Sequence, residues 1–126
     1  MGFRAIKLKE DFNPGFLGIF INPFYIARKG LYQGIKALAP SISGKVLDVG
    51  CGRKPYRALF DCESYIGLDI ENPGHSHENE DVDVFYDGST FPFEDGSFDN
   101  ALCNQVLEHV FNPDEFLGEI RRVLKP

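Results

Sequence analysis

The chain has 126 residues, 43% hydrophobic and 25% charged, a composition that suits one folded globular domain and disfavours a disordered chain. A net charge of −6 gives no basic stripe to hold phosphates, so no nucleic-acid partner is expected. Three widely spaced cysteines, Cys51, Cys62 and Cys103, include no CxxC, which points to free thiols in a reducing cytoplasmic setting and away from a disulfide framework or a zinc site.

No basic segment followed by an apolar run and a small-residue cleavage site opens the chain, so no secretory leader is expected. Residues 15–26 form the most apolar stretch, but they are too few to span a bilayer and include Asn22 and Pro23. Stable membrane insertion is therefore not expected. This first quarter is rich in Phe and is punctuated into turns at Asn13-Pro14-Gly15 and Asn22-Pro23. Phe24, Ala27, Leu31, Ile35 and Leu38 then form one apolar stripe at helical period, and Pro40 and Ser41 close that helix. Gly30 and Gly34 each cost it about 1 kcal/mol relative to Ala, so it needs tertiary packing.

The period then changes. Lys45 to Val49 reads as a short buried strand that opens into a tight turn at Gly50-Cys51-Gly52. Pro55 is placed to begin a short helix running to Phe60. Ser64 to Ile70 reads as a second strand, Asn72 to Glu80 as a polar acidic loop, Val82 to Tyr86 as a third strand and Phe98 to Cys103 as a fourth. A last helix follows a cap at Asn112 or Asp114, with Phe116, Leu117, Ile120, Val123 and Leu124 at helical spacing. Strands separated by crossovers predict an α/β fold with a mostly parallel sheet, whose ligand sits outside the carboxyl ends of the strands. The expected division is an aromatic-rich extension with its helix over 1–40 and a ligand-binding half-domain over 41–126.

The unusual polar and glycine positions all fall at those strand ends: Asp48 to Gly52, Asp69, Asp87-Gly88 and Asn104. Gly50 and Gly52 would let a ligand approach the main chain closely. A dinucleotide fingerprint would need a small residue where Pro55 stands, which disfavours NAD and FAD, and no P-loop pattern is present. Asp69 lies 17 positions after Gly52, near the offset of a carboxylate that accepts from ribose hydroxyls, though an Asp at a strand end also serves as a turn cap. Asp48 sits inside an apolar strand, where a charge needs a partner; a ligand cation or backbone N–H groups would supply one and a phosphate would not. A nucleoside carrying a positive charge fits this set better than a nucleotide.

At these residues the sequence resembles the class I S-adenosylmethionine-dependent methyltransferases, of the type 11 group. The motifs are Val46 to Gly52, Tyr65 to Asp69, Phe91-Pro92-Phe93-Glu94-Asp95-Gly96-Ser97-Phe98-Asp99, Val106 to Val110 and Glu119 to Pro126, in that order along some two thirds of the chain. The resemblance implies a Rossmann-like three-layer sandwich with sheet order 3-2-1-4, lacking the last three strands of the seven-stranded methyltransferase fold. It implies S-adenosyl-L-methionine as cofactor, with Gly50, Cys51 and Gly52 beneath the methionyl part and Asp48 near its amino group. Asp69 would hold the ribose hydroxyls, with Ile70 beside it among the cofactor-binding residues, Asp87 and Gly88 would lie against the adenine, and Asn104 at the methyl-donor end. Arg53-Lys54-Pro55-Tyr56-Arg57 departs from the small residues common there, so Arg53 and Tyr56 would shape the rim differently.

Methyl transfer needs alignment and exclusion of water, and an oxygen or nitrogen acceptor also calls for a base. His109 is the candidate for that base, with a cap or structural hydrogen bond as its other reading. His75 and His77 read as part of a solvated loop rather than a metal site. The Phe-rich N-terminus suits a lid over the cofactor and a substrate wall, or a surface for a membrane or partner. The expected activity is methyl transfer to a small-molecule or carbohydrate-like acceptor. The other reading is a catalytically incomplete cofactor-binding fragment or interaction module. An uncovered fourth strand is a pairing hazard, which suggests a homodimer through that edge.

Overall fold

The computed structural model describes residues 11–13, 15, 23–72 and 80–126. Most of the Phe-rich segment, and His75 and His77 with it, lie outside the described residues. The chain divides into two compact units, Met1–Ser41 and Ile42–Pro126.

In the first unit, α1 spans Tyr25–Leu38 and tightens into a 3₁₀ turn at Ala39–Ser41. Ile35, near the end of the expected stripe, is buried, whereas Phe24 and Leu38 remain exposed. Lys29 Nζ donates to the Tyr25 hydroxyl at 2.8 Å, one helical turn back. The Arg28 guanidinium lies 5.0 Å from the centre of the Phe12 ring.

The second unit is built on four strands: β1 Lys45–Val49, β2 Ser64–Ile70, β3 Val84–Tyr86 and β4 Asn100–Cys103. All three pairings are parallel and the order is β3-β2-β1-β4. Val49 stands beside both Leu68 and Cys103, and Ile70 beside Tyr86, so the four carboxyl ends share one edge of the sheet. Helix α2, Pro113–Val123, begins at Asn112, whose side chain accepts from Glu115 N–H, with Pro113 in its first turn.

Period-2 alternation sorts the strands into two faces. Leu47, Val49 and Leu68 point to one side and form the core with Phe91, Phe98, Phe116 and Val123. Three aromatic pairs meet edge to face there, Tyr86–Phe91, Phe91–Phe116 and Phe93–Phe98. The other side carries Asp48 and Tyr65, and the Phe60 and Tyr65 rings pack at 5.7 Å.

Three elements are shorter than their sequence pattern. The helix expected from Pro55 is only a 3₁₀ turn at Arg57–Leu59, closed where Arg57 Nη1 donates to Phe60 O at 3.0 Å. β3 starts at Val84 because the Asp83 carboxylate has already taken the Gly67 N–H. β4 starts at Asn100 because Phe98 pairs with the chain leaving α2: its N–H donates to Val123 O, and Lys125 N–H donates to Phe98 O, both at 2.9 Å.

Candidate functional site

Four strand ends on one edge bring their glycines and carboxylates together. Gly50 follows β1 with φ 72°, a left-handed conformation that glycine adopts without strain. A Cβ on Gly50 would collide with the Val106 side chain, so the segment after β4 closes over this turn. Gly52 instead faces open space. Its N–H donates to Asp69 Oδ2 at 2.9 Å, and Asp69 Oδ1 accepts from Ile70 N–H at 2.8 Å. Each oxygen keeps a lone pair, so the carboxylate is oriented by the main chain and can still accept two hydroxyl protons.

A cavity of about 410 Å³, within the usual range of small-molecule sites, opens at this edge. Gly50, Asp69, Ile70 and Gly88 line it, as does His109. Its outer wall comes from Val106, Val110, Phe111 and Phe116, with Glu115 on the first turn of α2. Phe111 stands fully exposed. Among the described residues the lining holds two carboxylates, Asp69 and Glu115, and no Lys or Arg. Such a wall repels phosphate and tolerates a cation.

Asp48, Cys51, Gly52, Asp87 and Asn104 lie outside that lining. Asp48 is buried beneath the turn, where the Tyr65 hydroxyl donates to its Oδ2 at 2.6 Å. Burial raises its carboxyl from 3.8 to about 6, against the lowering effect of the Tyr65 hydrogen bond. Burial also pushes the Cys51 thiol up to about 12, leaving it unreactive. Asp87 is exposed and closes a turn, accepting at Oδ1 from the Ser89 N–H and hydroxyl at 2.9 and 2.6 Å. Those two bonds hold its carboxyl below the usual range.

Sequence reasoning missed the outer wall, Glu115 and Phe111 above all. Their signal was slight, since they read as ordinary residues of a helix start. Tyr86 and Ser89 also line the cavity, next to the expected Asp87-Gly88 pair.

Residues 47–126 match the methyltransferase-domain family. An uncharacterised protein of Methanocaldococcus jannaschii is 34% identical over 121 residues, 92% of this chain and 52% of that protein. The fatty-acid O-methyltransferase of Mycolicibacterium smegmatis is 35% identical over 107 residues, 76% of this chain and 39% of that enzyme. The chain thus spans about half or less of the length of these curated relatives. The crystal structure of a methyltransferase from Thermotoga maritima shares the fold, with a TM-score of 0.56 and 23% identity over 87% of this chain and 54% of that one. The chain belongs to the methyltransferase-domain family, the class I S-adenosylmethionine-dependent methyltransferases.

Proposed function

We propose that the cavity at the carboxyl edge of the sheet binds S-adenosyl-L-methionine and presents its methyl group to a small-molecule acceptor. The observation that carries this reading is the Asp69 carboxylate, fixed by Gly52 N–H at 2.9 Å in a cavity whose described lining joins carboxylates to apolar side chains without Lys or Arg. Asp69 accepts from the ribose hydroxyls, while Ile70, Tyr86 and Gly88 flank the adenine. Asp48, buried under the turn, supplies negative charge on the side of the methionyl amino group. When bound, the cofactor supplies an electrophilic methyl carbon on a sulfonium. The protein aligns the acceptor for in-line attack and excludes water.

The acceptor enters past His109, Phe111 and Glu115. Neither the His109 ring nor the Glu115 carboxylate makes a hydrogen bond among the described residues, so both are free to meet a ligand. His109 takes the proton that an acceptor hydroxyl or amine loses on methylation. The apolar wall of Val106, Val110 and Phe111 favours an acceptor with an apolar portion over a sugar.

The test is formation of S-adenosylhomocysteine from S-adenosylmethionine with a panel of hydroxyl- and amine-bearing acceptors. Acceptor-dependent turnover is expected, falling about 10²-fold or more in His109→Asn with cofactor affinity kept. Unchanged turnover in that variant removes His109 as the base. Cofactor binding with no turnover on any acceptor contradicts the transfer reading and leaves a binding module.

A further inference from the structure

We propose that Lys54 is a positioning residue whose ion pair with Asp83 sets the Gly52 turn and, through it, the Asp69 carboxylate. The inference rests on the function proposed above and assigns a role to Lys54, which stands in a stretch where the family commonly has small residues.

Lys54 is an unusual lysine. Its side chain is only 8% exposed, and Nζ lies 2.6 Å from Asp83 Oδ2 and 3.5 Å from Asp81 Oδ1. A lysine seldom gives up its hydration unless its charge is paired. Its backbone is left-handed, at φ 49°, which costs a residue bearing a Cβ about 1 kcal/mol or more. That conformation turns the chain back, so that Lys54 N–H donates to Cys51 O at 2.8 Å and the side chain runs under β2. β2 makes room for it: a Cβ at Gly67 would come within 2.5 Å of Lys54 Cε.

The ion pair closes a ring of contacts around the ribose carboxylate. Asp83 Oδ2 accepts from Gly67 N–H at 2.7 Å, and Asp83 N–H donates to Gly67 O at 3.0 Å, two residues before Asp69 on β2. From the same segment Asp81 N–H donates to Gly52 O at 2.9 Å, while Gly52 N–H holds Asp69 Oδ2. Gly52 is therefore held on both sides of its Cα: its carbonyl accepts from the segment that Lys54 anchors, and its N–H, in the preceding peptide group, goes to Asp69. Burial works against the Lys54 charge, but Asp83 raises its pKa overall, and Gly67 N–H and Lys54 hold Asp83 ionised. Without the pair, Asp81 and Asp83 lose their anchor, the Gly52 carbonyl is free to rotate, and Asp69 loses its fixed aim.

The experiment compares binding of S-adenosylhomocysteine and its 2′,3′-dideoxy analogue to the whole chain, by calorimetry, in the wild type, Lys54→Met and Asp83→Asn. The wild type is expected to favour the hydroxyl-bearing compound by about tenfold or more. Lys54→Met should cut that ratio at least threefold. Asp83→Asn keeps an oxygen for Gly67 N–H but loses the charge, and should do the same; it carries the test if Lys54→Met fails to fold. General loosening weakens both compounds alike, so a preserved ratio in folded variants overturns the inference and leaves the proposed function standing. A wild type that binds neither compound overturns the proposed function, and this inference with it.

Discussion

Asp48, 4% exposed, accepts a hydrogen bond from the Tyr65 hydroxyl at 2.6 Å in the midst of an apolar strand. The need for a partner was legible in the sequence, because a lone carboxylate in such a strand is costly. Tyr65 was not, since it reaches Asp48 only through the register that sets Val46 against Tyr65 and Asp48 against Gly67. Burial raises the Asp48 carboxyl to about 6 from an ordinary 3.8. The folded state therefore holds this proton more tightly than the unfolded chain does. This group's contribution to stability is present below pH 3.8 and is lost as pH rises through about 6, a change of about 3 kcal/mol. Asp83 and Glu119, whose carboxyls are held low, act in the opposite sense, so the difference between two proteins isolates Asp48. Asp48→Asn should gain about 2–3 kcal/mol relative to the wild type between pH 4 and pH 7.5 in denaturant unfolding. A difference that stays flat with pH contradicts the burial of an ionisable Asp48.

At the scale of elements, α2 was readable almost to the residue because its signals are local: the Asn112 cap, Pro113, acidic residues in the first turn and Arg121 and Arg122 in the last. The starts of β1 and β2 were readable too, but those of β3 and β4 were not, because distant groups take over the pairing. Asp99, for example, accepts from Lys45 N–H at 2.8 Å and from Lys125 Nζ at 2.7 Å, 54 and 26 residues away. The same holds for the segment from Phe91 to Asp95, whose sequence shows a motif but not its brace. Arg122 supplies that brace, donating to Phe91 O at 3.0 Å, Phe93 O at 2.8 Å, Asp95 at 2.7 Å and Glu119 through two nitrogens. Glu119 in turn accepts from Phe91 N–H at 2.8 Å, locking a buried core ring onto α2. Arg122→Ala should cost about 2 kcal/mol in unfolding free energy, and Arg122→Lys most of that, because an ammonium cannot span so many acceptors. A loss under about 0.5 kcal/mol in both contradicts the brace.

For the whole molecule, a parallel sheet was within reach of the sequence because a glycine, an acid or an amide falls at the carboxyl end of each strand, whereas the order β3-β2-β1-β4 was implied only by the family resemblance. The cavity was only half legible. Its floor, Gly50 and Asp69, announces itself by residue type, whereas its outer wall depends on how residues 104–112 turn. Gln105 makes that turn at φ 54°, a left-handed residue with no glycine to mark it. Val106 then falls over Gly50, and His109 comes to the cavity.

The measurement closest to the central claim is calorimetric titration of the chain with S-adenosyl-L-methionine, beside Asp69→Ala. One equivalent should bind with measurable heat, and Asp69→Ala should bind at least about tenfold more weakly, as loss of a charge-assisted pair of hydrogen bonds requires. No heat with the wild type, or equal affinity in Asp69→Ala, would contradict the account.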